Sequence, residues 1–164
     1  MEETHISLSV DCLLNEDSYV IPLYQRNFAW TYDEIEQLLN DVADAYQEKR
    51  DNYYIGTLVV NEENGHFKII DGQQRTTALN LIALVLKNEF NFDKLEAVNL
   101  TFPARRRSNE NIQNLFVNEK ISEDDENELT RGYRHAKDAL KKVLGERQLE
   151  PQSFVDYLFN KVII

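Results

Sequence analysis

Asp71-Gly72-Gln73-Gln74-Arg75-Thr76-Thr77 crowds six polar side chains (Asp71, Gln73, Gln74, Arg75, Thr76, Thr77) around one glycine. These residue types suit an anion, and phosphate above all. The first backbone N–H groups of a helix have no partner within the helix and carry partial positive charge. Gly72 allows positive φ or close backbone approach. Arg75 offers a fork of donors matched to phosphate oxygens. The same residues allow a plainer use. Asp71 could cap the helix, and Arg75 could pair with a carboxylate.

The elements that must position these groups are read from the flanks. Ile69-Ile70 before the turn reads as a strand end, and Leu79, Ile82 and Leu86 after it recur at helical spacing, so the turn joins a strand to a helix. Residues 78–86 are apolar almost all round, which predicts a central helix. Upstream, Tyr53 to Val60 reads as one strand with Gly56 inside it. The Glu63-Asn64-Gly65 turn then returns the chain through the partner strand His66 to Ile70, because Asn-Gly suits the positive φ angles of a type I′ hairpin.

Earlier still, Tyr19-Val20-Ile21 is strand-like, with Pro22 biasing Ile21 to extended geometry. Thr31 and Glu34 form a capping-box pair for a helix buried along Ile35, Leu38, Leu39, Val42 and Tyr46. Residues 3–14 fit either a short strand or a helix start. After the central helix, Val98 to Phe102 reads as a strand stopped by Pro103, and Arg105-Arg106-Arg107 as a loop, solvated or in contact with a phosphate or an acidic partner. Ser108 opens a short helix to Val117. A charged connector at Glu119 to Glu128 leads to a helix over Leu129 to Leu144, stopped by Gly145. Pro151 starts another helix. Lys161-Val162-Ile163-Ile164 looks like a strand cut short, which suggests a fragment of a longer protein. Fold class is therefore α+β, with a core over 1–103 and a helical extension over 104–164.

Composition bounds the function. Net charge is −11, from 18 basic and 29 acidic residues, which disfavours non-specific nucleic-acid binding by the chain as a whole. From Phe67 to Arg107, however, seven basic residues face four acidic ones, so the stretch holding the turn is locally positive. The single cysteine, Cys12, excludes an internal disulfide and a multi-cysteine metal site, and reads as a small core hydrophobe. No apolar run is long enough for a membrane span, and no signal peptide is evident. A cytoplasmic setting is expected.

Two motifs carry a resemblance. Ile21-Pro22-Leu23-Tyr24-Gln25-Arg26-Asn27-Phe28-Ala29-Trp30 resembles an "IPxYQRxFxW" opening, and Asp71 to Thr77 resembles a "DGQQRxTT" signature. Tyr53-Tyr54-Ile55-Gly56-Thr57-Leu58 between them matches "YFLGxI". Together they resemble the N-terminal domain of GmrSD-type modification-dependent restriction endonucleases and their relatives in phage defence, most strongly over residues 19–86. The later helices look like the start of that family's next region. Thr76 stands where many members carry a bulky apolar residue.

The resemblance implies a ParB/sulfiredoxin-like small mixed sheet packed with helices, through the turn Gly72-Gln73-Gln74-Arg75. It implies nucleoside triphosphate binding and hydrolysis that regulates DNA cleavage by a separate HNH-type domain. The residues so implied are Gly72, Gln73, Thr76 and Thr77 around the phosphates and Arg75 against developing charge. Gln74 would orient water, Asp71 would hold Mg²⁺, and Gln25 and Arg26 would complete the pocket. His5, His66 and His135 are scattered and give no HNH context. A non-catalytic nucleotide switch, a DNA- or partner-binding module, a homo-oligomer and a ParB-like nuclease using Asp71 remain alternatives.

Overall fold

The structure, a computed structural model, describes residues 6–103, 105–118 and 127–164. Within them, six helices pack around a mixed four-stranded sheet and a small parallel pair. The fold is α+β, as expected.

The chain enters as helix α1 (Val10–Asn15), capped by Ser9, whose Oγ accepts from the Cys12 N–H at 3.1 Å. Cys12 is half-buried. Strand β1 (Tyr19–Val20) follows, then α2 (Tyr32–Gln47), where Glu34 accepts from both the backbone N–H and the hydroxyl of Thr31. The hairpin of β3 (Val59–Glu63) and β4 (His66–Asp71) turns at Asn64 and Gly65, with φ of 52° and 80°. These are the positive angles that the Asn-Gly pair was expected to supply. β1 lies parallel to both β4 and β5 (Leu100–Thr101), giving the order β3-β4-β1-β5.

Central helix α3 (Gln73–Phe90) is buried at every residue from Thr76 to Leu86. Helix α4 is Arg106–Phe116, α5 is Glu128–Glu146 and α6 is Pro151–Asn160. α5 packs on both α2 and α3. At Gly132 a methyl group would sit 2.6 Å from the Phe28 ring and 2.7 Å from Leu81, so α5 approaches closely only because that position lacks a side chain.

Three expectations are corrected. Tyr53 to Val60 is not one strand. Gly56, at φ 132°, divides it: β2 (Tyr53–Tyr54) pairs in parallel with β6 (Val162–Ile163), while β3 joins the main sheet. Arg106 and Arg107 are helical rather than loop, because α4 begins two residues before Ser108, which is buried in its first turn. Gly145 lies inside the last turn of α5, which ends one residue later. Residues 119–126 of the expected connector and His5 lie outside the described residues.

The hydrophobic core is continuous from Val10 to Ile164, and it joins Leu39, Ile69 and Leu84 with Leu140, Phe154 and Val162. Residues on both sides of position 103 share it. Its C-terminal strand is built in: Ile164 N–H donates to Leu8 O and Leu8 N–H to Ile164 O.

Candidate functional site

The turn between β4 and α3 is set by Gly72, the N-cap of α3, at φ 105°. A Cβ there would stand 3.0 Å from the Leu58 side chain and 3.2 Å from the Thr57 carbonyl oxygen, so the backbone angle favours glycine and the space around it is tight. The first helical bond runs from Thr76 N–H to Gly72 O at 3.0 Å. The amides of Gln73, Gln74 and Arg75 precede it, and no side chain caps them. Asp71 therefore does not cap α3. It ends β4, exposed, with no side-chain hydrogen bond or ion pair among the described residues.

Side chains from the first motif are tied to this turn. Gln25 Nε2 donates to Ile70 O at 3.0 Å, and Gln73 Nε2 donates to Gln25 Oε1 at 3.1 Å. Gln74, only 9% exposed, uses both ends of its amide. Its Oε1 accepts from Ala29 N–H at 2.7 Å and its Nε2 donates to Asn27 O at 3.0 Å. Arg26 sits between these anchored residues, with its side chain exposed. Arg105 closes the loop from the other side by donating to the carbonyls of Leu23 and Gln25.

Arg75 is half-buried and forms no ion pair among the described residues. Its guanidinium lies against Gly56, where a Cβ would be 2.5 Å from Nη1. It lines an open cleft of about 480 Å³ with Trp30, Asp33, Glu34, Asp41, Tyr53 and Tyr54 among its walls. Glu34 is held below the usual carboxylate range, first by the Thr31 hydroxyl and then by the Thr31 and Glu34 backbone N–H groups. Thr76 and Thr77 face inward. Thr76 is 1% exposed and its Oγ1 lacks a partner among the described residues, while Thr77 Oγ1 donates to Gln73 O at 2.7 Å.

The structure thus gathers Gln25, Gly72, Gln73, Gln74 and Arg75 at one helix end, with Arg26 and Asp71 exposed beside them. It places Thr76 and Thr77 behind them in the core. Sequence reasoning gave no role to Gly56 or to the clamp of Arg105 on the 23–25 loop. Gly56 had a signal, as the glycine of the third matched segment. Arg105 had none, because its carbonyl partners are 80 and 82 residues away. No cluster of three or more metal-binding side chains occurs among the described residues, and no described helix is long and apolar enough to cross a membrane.

No curated protein matches the chain. The family model described as GmrSD restriction endonuclease, N-terminal domain, matches residues 10–163 and so takes in α4, α5 and α6 as well as the motif-bearing elements.

Proposed function

From the premise that this chain belongs to the GmrSD restriction endonuclease N-terminal domain family, we propose that it binds and hydrolyses a nucleoside triphosphate and so regulates DNA cleavage by an HNH-type nuclease domain. The observation that carries the proposal is the uncapped N-terminus of α3 at a tight glycine turn, with Arg75 beside it. Three free amides and a helix dipole suit a triphosphate better than they suit solvent. The ParB/sulfiredoxin-like kinship rests on this same strand, glycine turn and helix.

In this reading the amides of Gln73, Gln74 and Arg75 hold phosphate oxygens, and the Arg75 guanidinium stabilises charge developing in the transition state. Arg26, on the anchored loop, adds a second cation. Gln74 acts through the loop it clamps, so Gln73, whose Oε1 has no partner among the described residues, orients the attacking water. Thr77 supports the turn through its bond to Gln73 O, and Thr76 packs behind it. The donor set suits Mg²⁺: one exposed carboxylate, Asp71, leaves the remaining positions to phosphate oxygens and water, as that ion prefers. Mg²⁺ would supply charge neutralisation on the phosphates. The protein would act inside the cell, alone or as a homo-oligomer.

The test is phosphate release by the full-length protein with each common nucleoside triphosphate and Mg²⁺. Arg75→Ala is expected to lower turnover by at least about 100-fold, the scale for losing one charge-stabilising donor. Full turnover in that variant overturns the role of Arg75. Absence of turnover in the wild type, with nucleotide binding that Arg75→Ala removes, would replace hydrolysis by a nucleotide switch.

A further inference from the structure

We propose that Gly56 is a positioning residue for Arg75, and that the segment from Tyr53 to Leu58 is the seat that aims the guanidinium. The inference rests on the phosphate-binding reading of the turn and adds a residue to which that reading gives no part. Two independent features single out Gly56. Its φ of 132° lies where side-chain-bearing residues rarely go. Its α-carbon is also covered by the Arg75 guanidinium, since a Cβ would lie 2.5 Å from Nη1, 2.7 Å from Cζ and 3.0 Å from Nη2. Arginine has a long, flexible side chain, and no ion pair among the described residues holds this one. Packing a planar guanidinium flat on bare backbone restricts it without spending any of its donors on a carboxylate.

The same segment touches the turn again. Thr57 and Leu58 are the residues that crowd Gly72, at 3.0 to 3.3 Å from a would-be Cβ. One short loop therefore fits both glycines, fixing the guanidinium on one side and the helix N-cap on the other. The loop is itself held: Tyr53 N–H donates to Lys161 O at 2.9 Å and Ile55 N–H to Ile163 O at 3.0 Å. Strand β6 thus buttresses the residue immediately before Gly56.

The experiment compares Gly56→Ala with Gly65→Ala in the full-length protein. Gly65 also has positive φ, 80°, but nothing lies within 4 Å of its would-be Cβ, so its variant carries backbone strain without the clash. Gly56→Ala is expected to lower kcat by about 100-fold, the order for an ångström-scale misplacement, with Gly65→Ala unchanged. In an Arg75→Ala background, Gly56→Ala should cost nothing further, because the group it displaces is gone. Equal kcat for Gly56→Ala and wild type overturns the proposal, as does a loss that adds fully to that of Arg75→Ala. A wild type without turnover sinks the hydrolytic reading alone, and the same comparison is then read in the crystal structure of Gly56→Ala. A guanidinium displaced from residue 56 supports the seat, and one left in place refutes it.

Discussion

Gln74 shows how a residue's chemistry and its task separate. Its amide is of the type that orients water at a phosphate, yet both of its polar atoms are spent on the backbone of Asn27 and Ala29. Gln74→Ala should remove the part-buried hydrogen bonds to Ala29 N–H and Asn27 C=O, costing about 1–3 kcal/mol at roughly 0.5–1.5 kcal/mol for each bond. Urea unfolding should show this as a lower midpoint with an unchanged slope. Lost turnover at full stability would instead place the amide on the ligand. Tyr19 adds a pH test. Burial first, then Asp17 and Glu16, push its phenol up to about 12. A folded pKa above the unfolded value of about 10 gives stability that is complete below that value and lost as pH rises toward 12. Alkaline unfolding should therefore begin at higher pH in Tyr19→Phe than in wild type.

Element boundaries were legible where local chemistry decides them. The start of α2 follows from Thr31 and Glu34, and the hairpin from Asn64-Gly65, because each pattern satisfies backbone groups within a few residues. Thr31→Ala should cost about 1 kcal/mol near neutrality. The Glu34 carboxyl is depressed in the folded state by Thr31, so that contribution is present above the ordinary carboxylate pKa and lost as pH falls through the lowered one. Thermal melts of wild type and variant should draw together as pH falls from the ordinary carboxylate pKa, about 4.3, through the lowered folded one. The β2–β3 segment was not legible. Its β-formers run on past Gly56, and nothing local reveals that their partners are 162–163 on one side and 66–71 on the other. The start of α4 was missed because three arginines read as a solvated loop, whereas Arg106 pairs along the helix with Glu110 at 2.7 Å.

At the scale of the molecule, the later helices do not form a separate layer. α5 lies on α2 and α3, and β6 completes the small sheet with β2. Val162, fully buried in the shared core, couples the last strand to the segment that carries Gly56. Val162→Ala should cost about 1–3 kcal/mol as a buried large-to-small change, and circular dichroism and fluorescence should still report one coincident transition. Two separated transitions would show that the core divides. The acidic balance of the whole chain persists at the surface, where Lys142–Glu36 and Arg147–Asp44 join α5 and the residue after it to α2 through exposed pairs. Such pairs contribute little each, so the apolar faces hold these helices together.

The sequence by itself determined the α+β class, the strand–turn–helix at Asp71 to Leu86, the central place of α3 and the family. Each depends on periodicity, on turn chemistry or on a run of neighbouring residues. Tertiary structure alone decided which polar groups of the motif remain free. It turned Gln74 and Arg105 into clamps, drew Thr76 into the core and laid Arg75 on Gly56. Those outcomes depend on which distant backbone arrives beside each side chain, and packing across tens of residues sets that.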